Sequence, residues 1–139
     1  MGLFGASPVR AQVALAAPAD TWEAVQFDAS ARGRTFPGIA IRLPGIAGEL
    51  FTACRICTHQ GCVFGYETDY RLVSDIIGVK LSNPVLFCRC HLSVYDPAQQ
   101  GRVLFGPAPR PPWRIEARQD GGTLLIGAVE GGAGEFGSG

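Results

Sequence analysis

Two short segments of this 139-residue chain concentrate cysteine and histidine, the side chains that bind iron and zinc. Box one, residues 57–62, reads Cys-Thr-His-Gln-Gly-Cys. Box two, residues 88–96, reads Cys-Arg-Cys-His-Leu-Ser-Val-Tyr-Asp. Each box supplies two cysteines and one histidine. Two thiolates combined with two imidazoles are ligands for either a [2Fe–2S] cluster or a structural zinc ion.

The alternative of a structural zinc site explains less of the pattern. Zinc sites usually pair their cysteines in C-x2-4-C knuckles. A four-ligand zinc site gives no reason for a second cysteine in each box, nor for Ser93 and Tyr95 at fixed offsets behind His91. The sequence therefore favours the iron–sulfur cluster over zinc.

The two boxes closely resemble the Rieske iron–sulfur proteins, whose pattern is C-x-H-x-G-C followed by C-x-C-H-x-S-x-Y-D. Downstream, residues 101–103 and 106–111 look like the glycine turn and the proline loop of that family. The resemblance covers roughly residues 54–112. Within the family it is closest to the branch found in cytochrome bc complexes, because ferredoxins and ring-hydroxylating oxygenases lack the second cysteines.

The resemblance implies a complete ligand set for one [2Fe–2S] cluster. Cys57 and Cys88 would bind one iron through thiolates, and His59 and His91 would bind the other through imidazole nitrogens. Such a cluster is neutral when both irons are ferric, whereas a cluster with four thiolates carries two negative charges. Adding an electron to the neutral cluster costs less, so a high reduction potential is expected.

The resemblance also assigns the neighbouring polar side chains. Ser93 would donate a hydrogen bond to a bridging sulfide, and Tyr95 would donate one to the sulfur of Cys57, so that both stabilise the reduced state. Cys62 and Cys90 would form a disulfide between the boxes, as is common in oxidising compartments. The fifth cysteine, Cys54, is then expected to be a small buried apolar residue.

Three residues depart from the usual sequence of the bc branch. Gln60 stands where that branch usually has Leu, Arg89 where it has Pro, and Leu92 where it has Gly. A polar Gln60 weakens the apolar tip that docks on a quinol site. This difference keeps open a second hypothesis, a Rieske subunit of another periplasmic oxidoreductase similar to arsenite oxidase.

The rest of the chain predicts an all-β fold. The chain has 19 Gly and 10 Pro, which fits short strands joined by many turns. No helix beyond one turn is expected, and that turn would lie in the insertion 63–87. A closing hairpin is predicted across residues 120–122. Strands are predicted at residues 22–27, 39–43, 50–53, 85–87, 113–117 and 123–128.

In the Rieske fold implied by the resemblance, an antiparallel β sandwich contains an inserted cluster-binding subdomain. We expect one domain over residues 1–139, with that subdomain at about 54–109. Residues 1–19 contain no apolar run long enough to span a membrane, and they are interpreted as an anchor remnant or a flexible segment. Residues 131–139 are interpreted as a tail or a cloning scar.

The functional expectation is one-electron transfer by the iron–sulfur subunit of a quinol-oxidising complex of the cytochrome bc type. Its implied partners are cytochrome b, a c-type cytochrome subunit and quinol, which would hydrogen-bond to His59 or His91. The implied location is the periplasmic side of the bacterial inner membrane, with this chain as a soluble fragment of an anchored protein. Any enzymatic activity, of the quinol–cytochrome c reductase type, would belong to the whole complex.

Two further functional classes fit the sequence less well. A soluble Rieske ferredoxin that serves an oxygenase fits the boxes but lacks a reason for the extra cysteine pair. Nucleic-acid binding has no electrostatic support, because 12 basic and 12 acidic residues give a formal net charge of zero.

Overall fold

A computed structural model describes residues 10–45 and 48–136 as three antiparallel sheets and one α-helix. In chain order the elements are β1 (Val13–Ala16), β2 (Ala24–Ala31), β3 (Arg34–Arg42), β4 (Leu50–Cys54), β5 (Gly65–Glu67), α1 (Tyr70–Ile77), β6 (Val85–Cys88), β7 (Ser93–Asp96), β8 (Arg102–Phe105), β9 (Ile115–Asp120) and β10 (Thr123–Val129).

Two three-stranded sheets, ordered β1-β10-β9 and β2-β3-β4, pack face to face as a sandwich. Phe36 and Ala40 of β3 are fully buried in the core between them, with Leu124 and Ile126 of β10. Successive side chains of a strand point to opposite faces of the sheet. Ile39 and Ile41 of β3 therefore point away from the face that carries Phe36 and Ala40. The face with Ile39 and Ile41 is also buried, so β3 lies at the centre of the molecule.

The third sheet, ordered β5-β6-β7-β8, and helix α1 come from the chain between β4 and β9. All of these elements fall inside the predicted subdomain range of 54–109. The sheet packs against the outer face of β3 through Leu86 and Tyr95, which share a core with Ile41. Tyr66 of β5 also donates a hydrogen bond to the Trp22 carbonyl at 2.7 Å. The sandwich therefore supports the third sheet through both apolar packing and a hydrogen bond.

Helix α1 is longer than the single turn that the sequence predicts. The Asp69 side chain accepts a hydrogen bond from the Leu72 amide and caps its start, and Gly78, with φ of 73°, ends it. Eight residues make just over two turns. Val73 and Ile77 lie one turn apart and bury their side chains on the third sheet. Two buried positions in so short a segment give too weak a periodicity to predict the helix from sequence.

The six predicted strands all overlap with observed strands, and the closing hairpin is confirmed because Asp120 pairs with Thr123. Four strands were not predicted: β1, β5, β7 and β8. They have only three or four residues each, too few to show an alternating pattern. The mostly antiparallel β architecture predicted from the sequence is confirmed.

The two ends of the described chain both contact the sandwich. β1 lies within the predicted anchor remnant 1–19 and pairs with β10 from Val13 to Ala16. In the predicted tail 131–139, Ala133 is buried and the Phe136 ring packs edge-on against Trp113, with 5.7 Å between centroids. Residues 1–9 and 137–139 of these two predictions lie outside the described residues. Among the described residues, no helix has the length and apolar character needed to cross a bilayer.

The buried contact between sandwich and third sheet should contribute strongly to stability. Ile41 is fully buried there, whereas Ile76 on α1 is 42% exposed. We expect Ile41→Ala to lower the free energy of unfolding by about 2–5 kcal/mol because it opens a cavity. The same substitution at Ile76 should change it by no more than about 0.5 kcal/mol. Chemical denaturation of both variants measures the difference, and equal losses would contradict this assignment of the core.

Candidate metal centre

Box one forms a tight loop between Ile56 and Val63, which pair as an isolated β-bridge. Inside the loop the Cys57 amide donates to the Cys62 carbonyl at 2.7 Å, and the Gly61 amide donates to the Cys57 carbonyl at 3.0 Å. Gly61 has φ of 83°, a left-handed conformation that glycine adopts without strain. These bonds fix the backbone between the two cysteines of the box.

Box two contains the turn between β6 and β7, and its first cysteine, Cys88, pairs across the hairpin with Ser93. Leu92 has φ of 65°, a left-handed conformation that costs a residue with a Cβ roughly 1–2 kcal/mol. This position is one of the departures from the bc branch, where the usual residue is glycine. The partly buried Leu92 side chain packs against the core cluster that contains Phe87 and Val94, which offsets part of this cost.

A disulfide between Cys62 and Cys90 joins the two loops, with 6.6 Å between the Cα atoms. The predicted pairing is therefore confirmed. The described residues include all five cysteines, and the three others, Cys54, Cys57 and Cys88, are free and buried. Cys54 belongs to the sandwich core, as expected of a small apolar residue, and burial raises the pKa of its thiol.

Both predicted thiolate ligands lie in the core between β3 and the third sheet. Cys57 and Cys88 are each no more than 2% exposed. Burial is the main cause that raises the pKa of the Cys88 thiol; the neighbouring Cys57 raises it further, while backbone hydrogen bonds in box two oppose the shift. The Cys88 sulfur also lies within 4.8 Å of both disulfide sulfurs. Those two sulfurs are covalently bonded to each other and provide no thiolate, so these three cysteines are not a ligand set.

The two histidines face each other, one from each loop. Their ring centroids lie 4.9 Å apart, and the ring planes are nearly perpendicular at 86°. His91 is exposed, and His59 is half-buried. Nδ1 of His59 is buried without a hydrogen-bond partner among the described residues. Buried polar atoms are normally satisfied, so this nitrogen needs a partner such as a metal ion.

The Tyr95 hydroxyl lies next to Cys57, the predicted thiolate ligand of box one. The side chain is fully buried, and Oη lies 3.2 Å from Cys57 Sγ. The Thr58 amide donates to the same oxygen at 3.2 Å. Burial, followed by the contact with Cys57, raises the pKa of Tyr95 far above its usual range. The phenol is therefore protonated at neutral pH and can donate to the sulfur.

Ser93 is held by the proline loop, residues 106–111. Its hydroxyl oxygen accepts a hydrogen bond from the Ala108 amide at 3.1 Å, which leaves the hydroxyl proton free for another acceptor. Gly106 has φ of 92°, and a Cβ there would lie 2.5 Å from the Ser93 Cα atom. Only glycine allows the proline loop to approach box two this closely.

The proline loop is attached to the sandwich by an ion pair. The Arg110 guanidinium contacts both carboxylate oxygens of Glu130, at 2.9 and 3.0 Å. The Arg114 amide donates to the same carboxylate at 2.9 Å, and Arg110 accepts a hydrogen bond from Thr58 Oγ1 at 2.7 Å through its carbonyl. The sequence did not predict roles for Thr58 or Glu130, because neither residue type in its local context signals these distant contacts.

The surface around the histidines is mixed in character. Val63 is 57% exposed, and Gln60 and Arg89 are exposed as well. The Arg89 guanidinium lies 3.5 Å from the Glu67 carboxylate and stacks over the Phe87 ring at 5.1 Å. The exposed side chains in and next to the two boxes thus include apolar, polar and charged groups.

The disulfide should contribute strongly to stability. A bond across 28 residues restricts the unfolded chain by about 3–4 kcal/mol in the chain-entropy model. We expect Cys62→Ser to lower the free energy of unfolding by about this amount, whereas Cys54→Ala should cost less. Thiol titration in denaturant should find three thiols before reduction and five afterwards. A count of five in the untreated protein would contradict the pairing.

The ion pair of Glu130 should make stability depend on pH. The Arg110 guanidinium is the main cause that lowers the pKa of this carboxyl in the folded protein. A lowered folded pKa adds stability above the unfolded pKa, and this stability is lost as the pH falls through the folded pKa. Glu130→Gln should therefore lower the melting temperature at neutral pH.

The melting temperatures of this variant and the original protein should converge as Glu130 becomes protonated in acid. The exposed carboxylate Glu49, which lies outside this ion pair, provides the control Glu49→Gln. If Glu130→Gln lowered the melting temperature equally at every pH, the ion pair with Arg110 would not contribute to the stability of the protein.

Comparison with known proteins yields no match to a family model. One curated relative, the chloroplastic iron–sulfur subunit of the cytochrome b6-f complex from Bigelowiella natans, is 34% identical over 71 residues. The match covers 51% of this chain and 22% of the relative, so the chain corresponds to a minor part of that protein.

Among solved structures, the crystal structure of the cyanobacterial plasma membrane Rieske protein PetC3 from Synechocystis PCC 6803 is similar, with a TM-score of 0.51. It is 21% identical and covers 74% of this chain and 86% of its own. The sequence match and the shared fold thus confirm the resemblance to the Rieske iron–sulfur proteins that the two boxes indicated, and the chain has the Rieske fold.

Proposed function

We propose that this chain binds a Rieske-type [2Fe–2S] cluster and transfers single electrons as the iron–sulfur subunit of a cytochrome bc-type quinol-oxidising complex. One observation carries the proposal: two buried free thiols and two facing imidazoles come from loops that a disulfide joins. The similarity to a cytochrome b6-f subunit supports the type of complex.

In this proposal Cys57 and Cys88 bind one iron, and His59 and His91 bind the other. The donor set fits, because both thiols are unbridged and His59 Nδ1 is buried without a partner among the described residues. Thiols must lose their protons to bind metal, so cluster binding would release the protons of Cys57 and Cys88 and would depend on pH. The bound cluster supplies a one-electron acceptor of high potential.

The chain's own residues would raise that potential. Hydrogen bonds to ligand sulfur favour the electron-rich state, because they stabilise added negative charge. Tyr95 Oη is 3.2 Å from Cys57 Sγ, and the Ser93 hydroxyl has its proton free while its oxygen accepts from Ala108. Both side chains are fully buried, and their hydrogen bonds would therefore act in a low-dielectric environment.

The histidine side of the site would face the electron partner. His91 is exposed, and we propose that it or His59 forms the hydrogen bond to quinol at an interface with cytochrome b. The exposed Val63 would add apolar contact to this docking surface. A c-type cytochrome subunit would then accept the electron. We place these contacts on the periplasmic side of a bacterial inner membrane.

Metal analysis of purified protein tests the cofactor. We expect about two irons per chain, little zinc, and an electron paramagnetic resonance signal after reduction with dithionite, as a single [2Fe–2S] cluster requires. His91→Ala should abolish the signal by removing a ligand, while Gln60→Ala, at a nearby exposed position, should retain it. One zinc per chain without iron would end the proposal.

The reduction potential tests the two hydroxyl groups. Tyr95→Phe and Ser93→Ala should each lower the midpoint potential measured by protein-film voltammetry, and the double variant should lower it further. Tyr66→Phe is the matched control, because it removes a tyrosine hydroxyl that bonds to the Trp22 carbonyl outside the site. If neither single variant lowered the potential, the hydroxyl groups would not act on the cluster.

A further inference from the structure

The environment of the Tyr95 hydroxyl allows a count of donors and acceptors. Its oxygen lies 3.2 Å from Cys57 Sγ, 3.2 Å from the Thr58 amide nitrogen and 3.3 Å from Thr58 Oγ1. The amide can only donate, so it occupies one lone pair of the tyrosine oxygen. Tyr95 has one proton of its own to donate. Two atoms, the sulfur and the threonine oxygen, remain as partners for it.

The hydroxyl proton of Thr58 is donated to another acceptor, the Arg110 carbonyl. Thr58 Oγ1 lies 2.7 Å from the Arg110 carbonyl, which can only accept, so the threonine hydroxyl donates there. A hydroxyl has one proton, and Thr58 therefore meets Tyr95 only as an acceptor. Cys57 would also be an acceptor as a thiolate ligand. The single phenolic proton thus has two competing acceptors.

The Arg110 carbonyl accepts the Thr58 proton, and the position of Arg110 is fixed by a contact outside the site. The Arg110 side chain forms its two-point ion pair with Glu130, next to the end of β10. Thr58 itself is 4% exposed, so it lies in a largely buried environment. The direction of the Thr58 hydroxyl is therefore determined by the fold.

We propose that Thr58 is a positioning residue that draws the Tyr95 proton away from the Cys57 sulfur and thereby lowers the reduction potential of the site. This inference rests on the proposed function, because it requires a cluster bound to Cys57. The two acceptors lie at nearly the same distance from the phenolic oxygen, 3.2 Å for the sulfur and 3.3 Å for the threonine oxygen, so the threonine oxygen competes with the sulfur for the one proton. Tyr95 alone would raise the potential, and Thr58 limits that increase.

Thr58→Val tests the competition directly. The substitution removes the hydroxyl and keeps both the β-branched shape and the backbone amide that donates to Tyr95. The phenolic proton then has only the sulfur as acceptor, and we expect the midpoint potential to rise. Thr58→Ser retains the hydroxyl and should leave the potential close to that of the original protein. A fall in the potential of Thr58→Val would overturn the inference.

Thr58→Val also removes the hydrogen bond from Thr58 to the proline loop, and displacement of this loop could change the potential by itself. The same substitution in the Tyr95→Phe variant separates this effect from competition for the phenolic proton. In the Tyr95→Phe background no phenolic proton exists, so Thr58→Val should no longer raise the potential. A rise of equal size in both backgrounds would show that loop displacement causes it, and the inference would be wrong.

Iron content and the electron paramagnetic resonance signal of the unsubstituted protein are measured first. Their absence would overturn the proposed function and this inference together, whereas an intact cluster without the expected rise overturns the inference alone.

If the valine variant fails to retain the cluster, infrared spectroscopy of cluster-free protein containing isotope-labelled tyrosine provides a second test. The C–O stretching band of Tyr95, identified by its loss in Tyr95→Phe, should shift in Thr58→Val and stay in place in Thr58→Ser. An unshifted band in the valine variant would contradict a hydrogen bond between the two hydroxyl groups.

Discussion

The bond between Cys62 and Cys90 is the constraint on which the rest of the site depends. Each loop is defined internally by its own strands or backbone hydrogen bonds, yet the two loops are separated by β5, α1 and β6 in the chain. The disulfide removes much of the entropy that the unfolded chain would otherwise gain from separating them. With the loops joined, the thiols of Cys57 and Cys88 lie in one core, and the two imidazoles face each other.

The proline loop provides the second support, and it connects the chemistry to the sandwich. Its backbone contacts both boxes: the Ala108 amide donates to Ser93, and the Arg110 carbonyl accepts from Thr58. The ion pair between Arg110 and Glu130 ties this loop to the residue that follows β10. A carboxylate far from the thiols is thereby linked to the hydroxyl groups that surround them. The potential of the site would thus depend on the packing of the whole fold, since hydrogen bonds around a cluster are among its main controls.

The candidate ligands of the site could be predicted from the sequence better than the structural elements and contacts that hold them in place. Box one and box two contain the reactive residues within a few positions of each other, and apolar runs marked the longer strands. Helix α1 was predicted too short, as a single turn, because its periodicity rests on only two buried residues. The left-handed Leu92 gave no local signal, since leucine is disfavoured there. The role of Thr58 depends on a carbonyl 52 residues away, and such contacts arise only from tertiary structure.

Pulsed electron paramagnetic resonance of reduced protein containing isotope-labelled histidine tests most directly whether two imidazoles and two thiolates bind the cluster. The chain has two histidines, so couplings to the nitrogens of both, His59 and His91, are expected. Label in any other amino acid should leave these couplings unchanged. A cluster signal without histidine couplings would contradict the account, because it would require cysteine ligands in their place.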